Sequence, residues 1–236
     1  QKQIVERLDK IAEAQKLNND LIQKSDELFQ SLLHTELNPA GKDWEMKKVG
    51  EIISDTTNGF ASRPVVEGVG QLRPNNIDSS GSLNFSSIKF VPKSYRNIKN
   101  YLLRKGDVLF NNTNSVELVG KTAFINTDYD YVFSNHMTRI RTREDVVVPQ
   151  FLAIFLQHIY SLGKFRFSCT PWVNQAAVNS TALKRLKIPL PSPKTQKQIV
   201  AKLSTVQEYK TQLLAQKSKL KELFDGVLHK AFSGGS

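Results

Sequence analysis

The sequence predicts a mixed α/β globular domain carried between two long α-helices that pair with each other as an antiparallel, coiled-coil-like element. Three observations carry that expectation. A repeat at an offset of 195 residues joins the two ends of the chain, each copy shows helical apolar spacing without proline, and the middle alternates short strand-like runs with turns.

Gln1-Lys2-Gln3-Ile4-Val5 recurs unchanged as Gln196-Lys197-Gln198-Ile199-Val200. At the same offset Leu8 falls on Leu203, Glu27-Leu28-Phe29 on Glu222-Leu223-Phe224, and Leu33-His34 on Leu228-His229, so that 13 of 37 ungapped positions are identical. Chance does not produce such a match, and similar helices suggest a two-fold-like assembly element. Ile4, Leu8 and Ile11 form one stripe, as do Ile199, Leu203 and Val206; a 4-then-3 spacing places each trio on one helical face. Leu28 and Leu32 continue the first stripe, and Leu220 and Phe224 the second. Asn18 and Ser25 interrupt it, which weakens a seam and fixes its register. The first copy stops near Asn38-Pro39-Ala40-Gly41. The second starts where Ser192 can cap and Pro193 can take the first helical position, its missing N–H costing nothing there. These limits divide the chain into residues 1–38, a helix; 39–191, the globular domain; and 192–236, a helix and tail.

In the middle, Lys105-Gly106-Asp107 signals a turn into the apolar run Val108-Leu109-Phe110. Lys121 to Ile125, Tyr131 to Phe133 and Met137 to Ile140 read as strands, and Gln150 to Tyr160 as a mostly buried helix introduced by Pro149.

The chain has 236 residues and a formal net charge of +11. Residues 1–37 are net −2 and residues 194–232 net +5, which leaves +8 on the middle. A basic globular domain suits a polyanionic partner, by attraction to phosphates and release of their counterions. A merely soluble basic protein would show the same balance. The longest apolar stretch, Phe151 to Leu156, is far too short to span a membrane. The first residues are polar and helix-like rather than those of a secretory leader, and the single cysteine, Cys169, fits a reducing compartment. A cytoplasmic location is therefore expected.

Several stretches then resemble one family. Trp44-Glu45-Met46-Lys47-Lys48-Val49-Gly50-Glu51-Ile52 resembles the opening of the recognition domains of Type I restriction–modification specificity subunits. Gln71-Leu72-Arg73-Pro74-Asn75-Asn76-Ile77 is similar to their RP-x-NI element, and Lys105 to Ser115 followed by Val119-Gly120-Lys121-Thr122-Ala123 to their most recognisable stretch. Leu186-Lys187-Ile188-Pro189-Leu190-Pro191 and the repeat after it resemble the junction into a conserved spacer helix, which closes at Leu228-His229-Lys230-Ala231-Phe232. A full subunit carries two recognition domains and two spacers, whereas one domain here lies between two spacer-like helices. A half-subunit acting as a homodimer, or a piece of a longer chain, is expected.

The resemblance implies readout of double-stranded DNA by a subunit that supplies specificity and no chemistry. It implies methyltransferase subunits as partners, with a restriction motor subunit joining them. The chain itself would hold no cofactor; S-adenosylmethionine, ATP and magnesium would belong to the partners. Arg suits guanine, Asn and Gln suit adenine, and Lys, Arg and Ser suit phosphates. On that chemistry the candidate contacts are Ser62 and Arg63 in one loop, and Lys164, Arg166, Asn174 and Gln175 in a second. Arg73, Asn75, Asn76, Asn112 and Asn114 are the family-like positions. A motif shared by domains that read different sequences is better explained by turn-holding than by contact, and Asn and Thr do that well. His136 and Arg139 lie in a further polar strand region, where Arg139 and Arg141 share a face that is either solvated or lines phosphates.

Catalytic patterns are missing. Asn111-Asn112-Thr113-Asn114 lacks the prolines and aromatic of an adenine-methyltransferase motif, Gly68-Val69-Gly70 is no phosphate loop, and His34, His136, His158 and His229 are too scattered for zinc. The rival reading is an antirestriction or regulatory module that docks the methyltransferase without reading bases.

Overall fold

The computed structural model describes residues 2–167, 170–172 and 175–233. In chain order its first elements are α1 (Lys2–Leu37), β1 (Glu45–Lys48), α2 (Val49–Ile52), β2 (Ile53–Asn58), β3 (Val69–Leu72), β4 (Lys89–Val91), β5 (Val108–Asn111) and β6 (Thr113–Asn114). They are followed by β7 (Thr122–Phe124), β8 (Tyr131–Phe133), β9 (Met137–Thr142), α3 (Pro149–Ser161), β10 (Thr170–Trp172), β11 (Gln175–Ala177), α4 (Ser180–Arg185), β12 (Lys187–Leu190) and α5 (Pro193–Ser233). The chain forms two compact units, residues 1–38 with 201–236, and residues 39–200.

In the helical unit α1 and α5 run antiparallel. Gln15 Nε2 donates to Leu220 O (3.3 Å) and Asn18 Nδ2 to Leu213 O (3.0 Å), while Asp26 pairs with Lys210 (2.5 Å) and Glu36 with Lys202 (2.7 Å). Buried and half-buried positions in α1 recur at Ile4, Leu8, Ile11, Gln15, Asn18, Ile22, Ser25, Phe29 and Leu32, the alternating spacing of a coiled-coil seam. Their repeat counterparts Leu203, Val206, Leu213, Leu220 and Phe224 do the same in α5. Asn18 and Leu213 are themselves repeat counterparts, so the two copies cross at equivalent points. Leu28, expected in the seam, is 51% exposed. The spacing from Ser25 falls on Phe29 instead, and that ring takes the seam position.

The globular unit is built on a four-stranded antiparallel sheet, β2-β9-β5-β7. Val108, Leu109 and Phe110 of β5 are fully buried because both faces of the strand are covered. On one side α3 packs against β5 and β7. It is started by Pro149 and buries Phe151, Leu152, Phe155, Leu156 and Ile159. On the other side Leu109, Ala123 and Met137 join Leu72, Ile77, Leu103, Ile125 and Phe133 in one cluster. That cluster draws in a second sheet, β4-β3-β8, in which β3 and β8 are parallel.

A hairpin of β10 and β11 adds β6 as a third strand. The pair β1 and β12 brings Glu45–Lys48 against Lys187–Leu190, residues that begin and end the unit. Pro189 is tolerated there, on a two-stranded edge that asks little of its missing N–H. Ser192 Oγ accepts from Thr195 N at 3.3 Å and caps α5, whose first turns belong to this unit. Ile199, grouped by its spacing with the helical seam, is accordingly buried in the globular unit.

Asn18 is 3% exposed, and its Oδ1 has no hydrogen-bond partner. Replacing it with its counterpart's residue, Asn18→Leu, is expected to raise stability in urea by about 1 kcal/mol, since a seam asparagine costs stability to fix register. A lowered midpoint would show that the amide stabilises the pair.

Candidate nucleic-acid interface

Two polar loops and one turn converge on a shared network of side-chain hydrogen bonds. Asn112, at the end of β5, donates to Thr138 Oγ1 on β9 (2.9 Å), and Thr138 donates in turn to Asn58 Oδ1 at the end of β2 (2.8 Å). Thr113 Oγ1 donates to Asn112 Oδ1 (2.8 Å), and the backbone N–H groups of Asn112 and Thr113 reach His136 O (3.0 and 3.4 Å). Thr113 and Asn114 then pair with Ala177 and Ala176 of the β10–β11 hairpin. The root of the 59–68 loop, the 134–136 turn and the hairpin are thus joined through three buried or half-buried polar residues.

The 59–68 loop starts with Gly59, where a Cβ would lie 2.2 Å from Ser134 O. Only glycine permits that approach. Phe60 follows, 5% exposed and stacked on Tyr95 at 3.7 Å, and it anchors the loop. Beyond it Ser62 is half-buried, Arg63 is exposed, and Val66 is 93% exposed. Lys164 and Arg166 are exposed on the turn after α3, and Phe165 between them is buried against Phe110. Gly120 makes room for that ring, with φ +98° and a would-be Cβ 2.2 Å from Phe165. Of the remaining residues expected in this loop, Gln175 opens β11, and Asn174 lies outside the described residues.

The family-like asparagines divide. Asn75 is exposed and Asn114 half-buried, with Oδ1 accepting from Ser115 N (2.9 Å). Asn76 is 1% exposed: it accepts from Arg73 N (2.9 Å) and donates to Asn84 O (2.8 Å) and Ser87 O (3.2 Å). Its amide is fully engaged with the main chain and has nothing left to offer a base. Asn112 is committed in the same way. Both hold turns, the role that the sequence reading weighed above base contact for these positions. Arg73 is half-buried and reaches Ser87 O at 3.4 Å.

Lys121, which spacing alone placed only in a strand, turns out to brace the Pro74–Asn76 turn. It is 6% exposed, and its ammonium donates to Pro74 O (2.9 Å) and to Ile77 O. Burial pushes its pKa down. Arg139 is 4% exposed, with a pKa also lowered by burial and by neighbouring Arg141; Arg141 is raised by its hydrogen bond to Asp107 (2.7 Å). Arg139 and Arg141 line one cavity, as their alternation along β9 requires. His136 is half-buried beside the network.

Sequence reasoning missed Asn58 and Thr138; the Asn-Gly turn signal at Asn58-Gly59 was the available clue to the first. Among the described residues no three His, Cys, Asp or Glu side chains are placed to hold a metal, and no helix is long and apolar enough to cross a membrane.

Residues 41–222 match the family model of the Type I restriction modification DNA specificity domain. The chain belongs to that family. It is 28% identical over 205 residues to a putative type I restriction enzyme MjaX specificity subunit of Methanocaldococcus jannaschii, covering 85% of this chain and 48% of the relative. It is 26% identical over 208 residues to the type I restriction enzyme StySPI specificity subunit of Salmonella potsdam, covering 81% and 43%. The chain therefore spans about half the length of the curated relatives it matches.

Among solved structures, the HsdS subunit from Thermoanaerobacter tengcongensis shares the fold with a TM-score of 0.64 at 20% identity, over 99% of this chain and 57% of that one. A Type I restriction–modification S subunit from M. genitalium aligns with a TM-score of 0.57 at 15% identity, over 96% and 57%. The mixed α/β domain with two long helices is thus a fold that the chain shares with these solved structures.

Thr138→Val removes the hydroxyl that links Asn112 to Asn58 while keeping the side chain's shape. A buried donor left without its acceptor costs about 1–3 kcal/mol, so the urea midpoint of the variant is expected to fall accordingly. An unchanged midpoint would mean that the network does not hold the loops.

Proposed function

We propose that this chain is a DNA sequence-reading module of a Type I restriction–modification specificity subunit. The globular unit reads one half-site of duplex DNA through the 59–68 loop and the segment after α3. The observation that carries this reading is the family match over residues 41–222, which spans the whole set of joined loops. Arg63, Lys164 and Arg166 are exposed there, as is Asn75 on the turn after β3, and Ser62 is half-buried. Arginine can reach guanine with two parallel bonds, and the lysine can meet phosphate as a point charge. The net charge of +8 outside the two helices supplies the general attraction to a polyanion.

The helical unit is the element that docks methyltransferase subunits. Apolar side chains off its seam support this: Val5, Leu17 and Leu28 on α1 and Leu214 and Leu223 on α5 are 48–61% exposed. Apolar groups at such positions commonly mark a surface for a partner. The chain performs no chemistry itself, and S-adenosylmethionine, ATP and magnesium act on the methyltransferase and motor subunits. It works in the cytoplasm, where the DNA is. A second recognition domain comes from a second copy or from a longer chain, and the helix pair sets the distance between the two half-sites.

Selection of bound duplexes from a randomised library, with and without the cognate methyltransferase, tests this directly. A short enriched half-site, or a mirrored pair at fixed spacing, is the expected result, and the pair also establishes the dimer. Binding that weakens with salt but enriches no bases in either condition would remove sequence readout.

A further inference from the structure

Thr57 of β2, the 98–101 turn, Arg104 and the middle of β9 line a polar cavity of about 380 Å³ that is open to solvent on one side. Its floor is the Arg139 side chain, whose Nη1 donates to Asn100 O (2.8 Å) and Nη2 to Thr57 Oγ1 (3.0 Å). Its Nε, fully buried, has no hydrogen-bond partner. Arg141 stands beside it, and Lys99 and Arg104 are exposed at the rim with Tyr101.

Four cations therefore face this space, and two carboxylates answer them. Asp107, 2% exposed, is committed to Arg141 (2.7 and 3.4 Å) and to the backbone N–H of Arg104 (2.8 Å). Asp55, 49% exposed, reaches Arg139 only at 3.4 Å. No described carboxylate pairs with Lys99 or Arg104. Four cations against two carboxylates, one of them half-exposed and held at 3.4 Å, leave an excess of positive charge around a buried guanidinium, which is costly. The side chain of Arg139 is pinned rather than free to escape into water, so the cost is built into the fold.

We infer that this cavity binds a phosphate group. Phosphate presents several oxygens to donors arriving from different directions, carries enough charge for the two unanswered cations, and suits the planar fork of Arg104, with the already engaged guanidiniums of Arg139 and Arg141 adding positive charge behind it. The hydroxyl of Tyr101 adds a neutral donor, while that of Thr57 is committed to Asp55 (2.9 Å). Among the described lining residues Tyr101 is the one aromatic wall, so the site selects the phosphate rather than a base attached to it. The phosphate can come from a DNA backbone or from a free phosphorylated molecule. The first source rests on the DNA-reading proposal, and the second does not.

The test is calorimetric titration of the whole chain with inorganic phosphate at constant ionic strength, set against chloride. It compares the natural sequence with Lys99→Ala/Arg104→Ala, a rim variant whose thermal melt checks that it folds. Saturable phosphate binding, weakened at least about tenfold in the variant, is expected for a desolvated charge-assisted site. If a duplex competes with phosphate, and the slope of DNA affinity against salt becomes shallower in the variant by about 0.9 per phosphate no longer neutralised, the source is the DNA backbone. If phosphate binds and the duplex does not compete, the source is a free phosphorylated molecule. No binding beyond the chloride control, or equal binding by the folded variant, overturns the site. Phosphate binding without any sequence selection removes the base-reading proposal alone; selection without phosphate binding removes this cavity alone.

Discussion

Buried side-chain amides hold this domain together. The strands of the globular unit are short, three to six residues for most of them, so regular ladders leave many main-chain groups without partners. A buried N–H or C=O left unpaired costs about 1–3 kcal/mol, and here side chains supply what the ladders do not. Gln196, fully buried, accepts from Val148 N (2.7 Å) and donates to Pro191 O (2.8 Å) and Val146 O (3.1 Å). Gln157 accepts from Thr122 N (2.9 Å) and donates to Ser79 O (2.7 Å). Gln71 reaches Phe60 O, Asn111 reaches Leu118 O, and Asn76 closes the turn that Lys121 braces from behind. Some of these bonds close local turns and others, those of Gln157, Lys121 and Gln196 to Val146 and Val148, join distant segments, so an irregular backbone becomes a fixed frame.

That frame separates the residues that hold from the residues that face outward. Asn76, Asn112 and Lys121 lie inside it, while Arg63, Asn75, Lys164 and Arg166 lie outside. This division lets outward side chains change without disturbing the buried bonds, which suits the proposed reading of DNA. The helical unit follows the same logic with a different device. Its seam is regular, and Asn18 and Ser25 sit in it as polar exceptions that mark one register. Lys202–Glu36 and Lys210–Asp26 add charge complementarity between an acidic α1 and a basic α5.

The sequence made the helices legible because a repeat needs no knowledge of the fold. Ser192 and Pro193 marked the start of α5 because capping is local. The apolar runs of β5, β7, β8 and β9 and the buried face of α3 could also be read from neighbouring residues. What could not be read depends on partners far along the chain. The pairing of Lys48 with Lys187, the parallel register of β3 on β8, and the hairpin that recruits Thr113 and Asn114 have no local signature. The two roles of asparagine were hidden for the same reason, since Asn75 and Asn76 differ only in which way the turn points them. Leu28 and Phe29 are adjacent apolar residues, and only the phase of the seam chooses between them. The cavity beside Arg139 gathers Thr57, Lys99 and Arg104 from separate segments, beyond the reach of any spacing rule.

In the proposed function, a rigid frame of buried amides presents the 59–68 loop and the segment after α3 to DNA. Amide hydrogen exchange of the chain with and without a duplex that it selects tests this most directly. New protection is expected at residues 59–68 and 162–179, with exchange in β5, β9 and the 73–77 turn already slow and little changed. Protection confined to α1 and α5, or a frame that becomes ordered only when DNA binds, would contradict it.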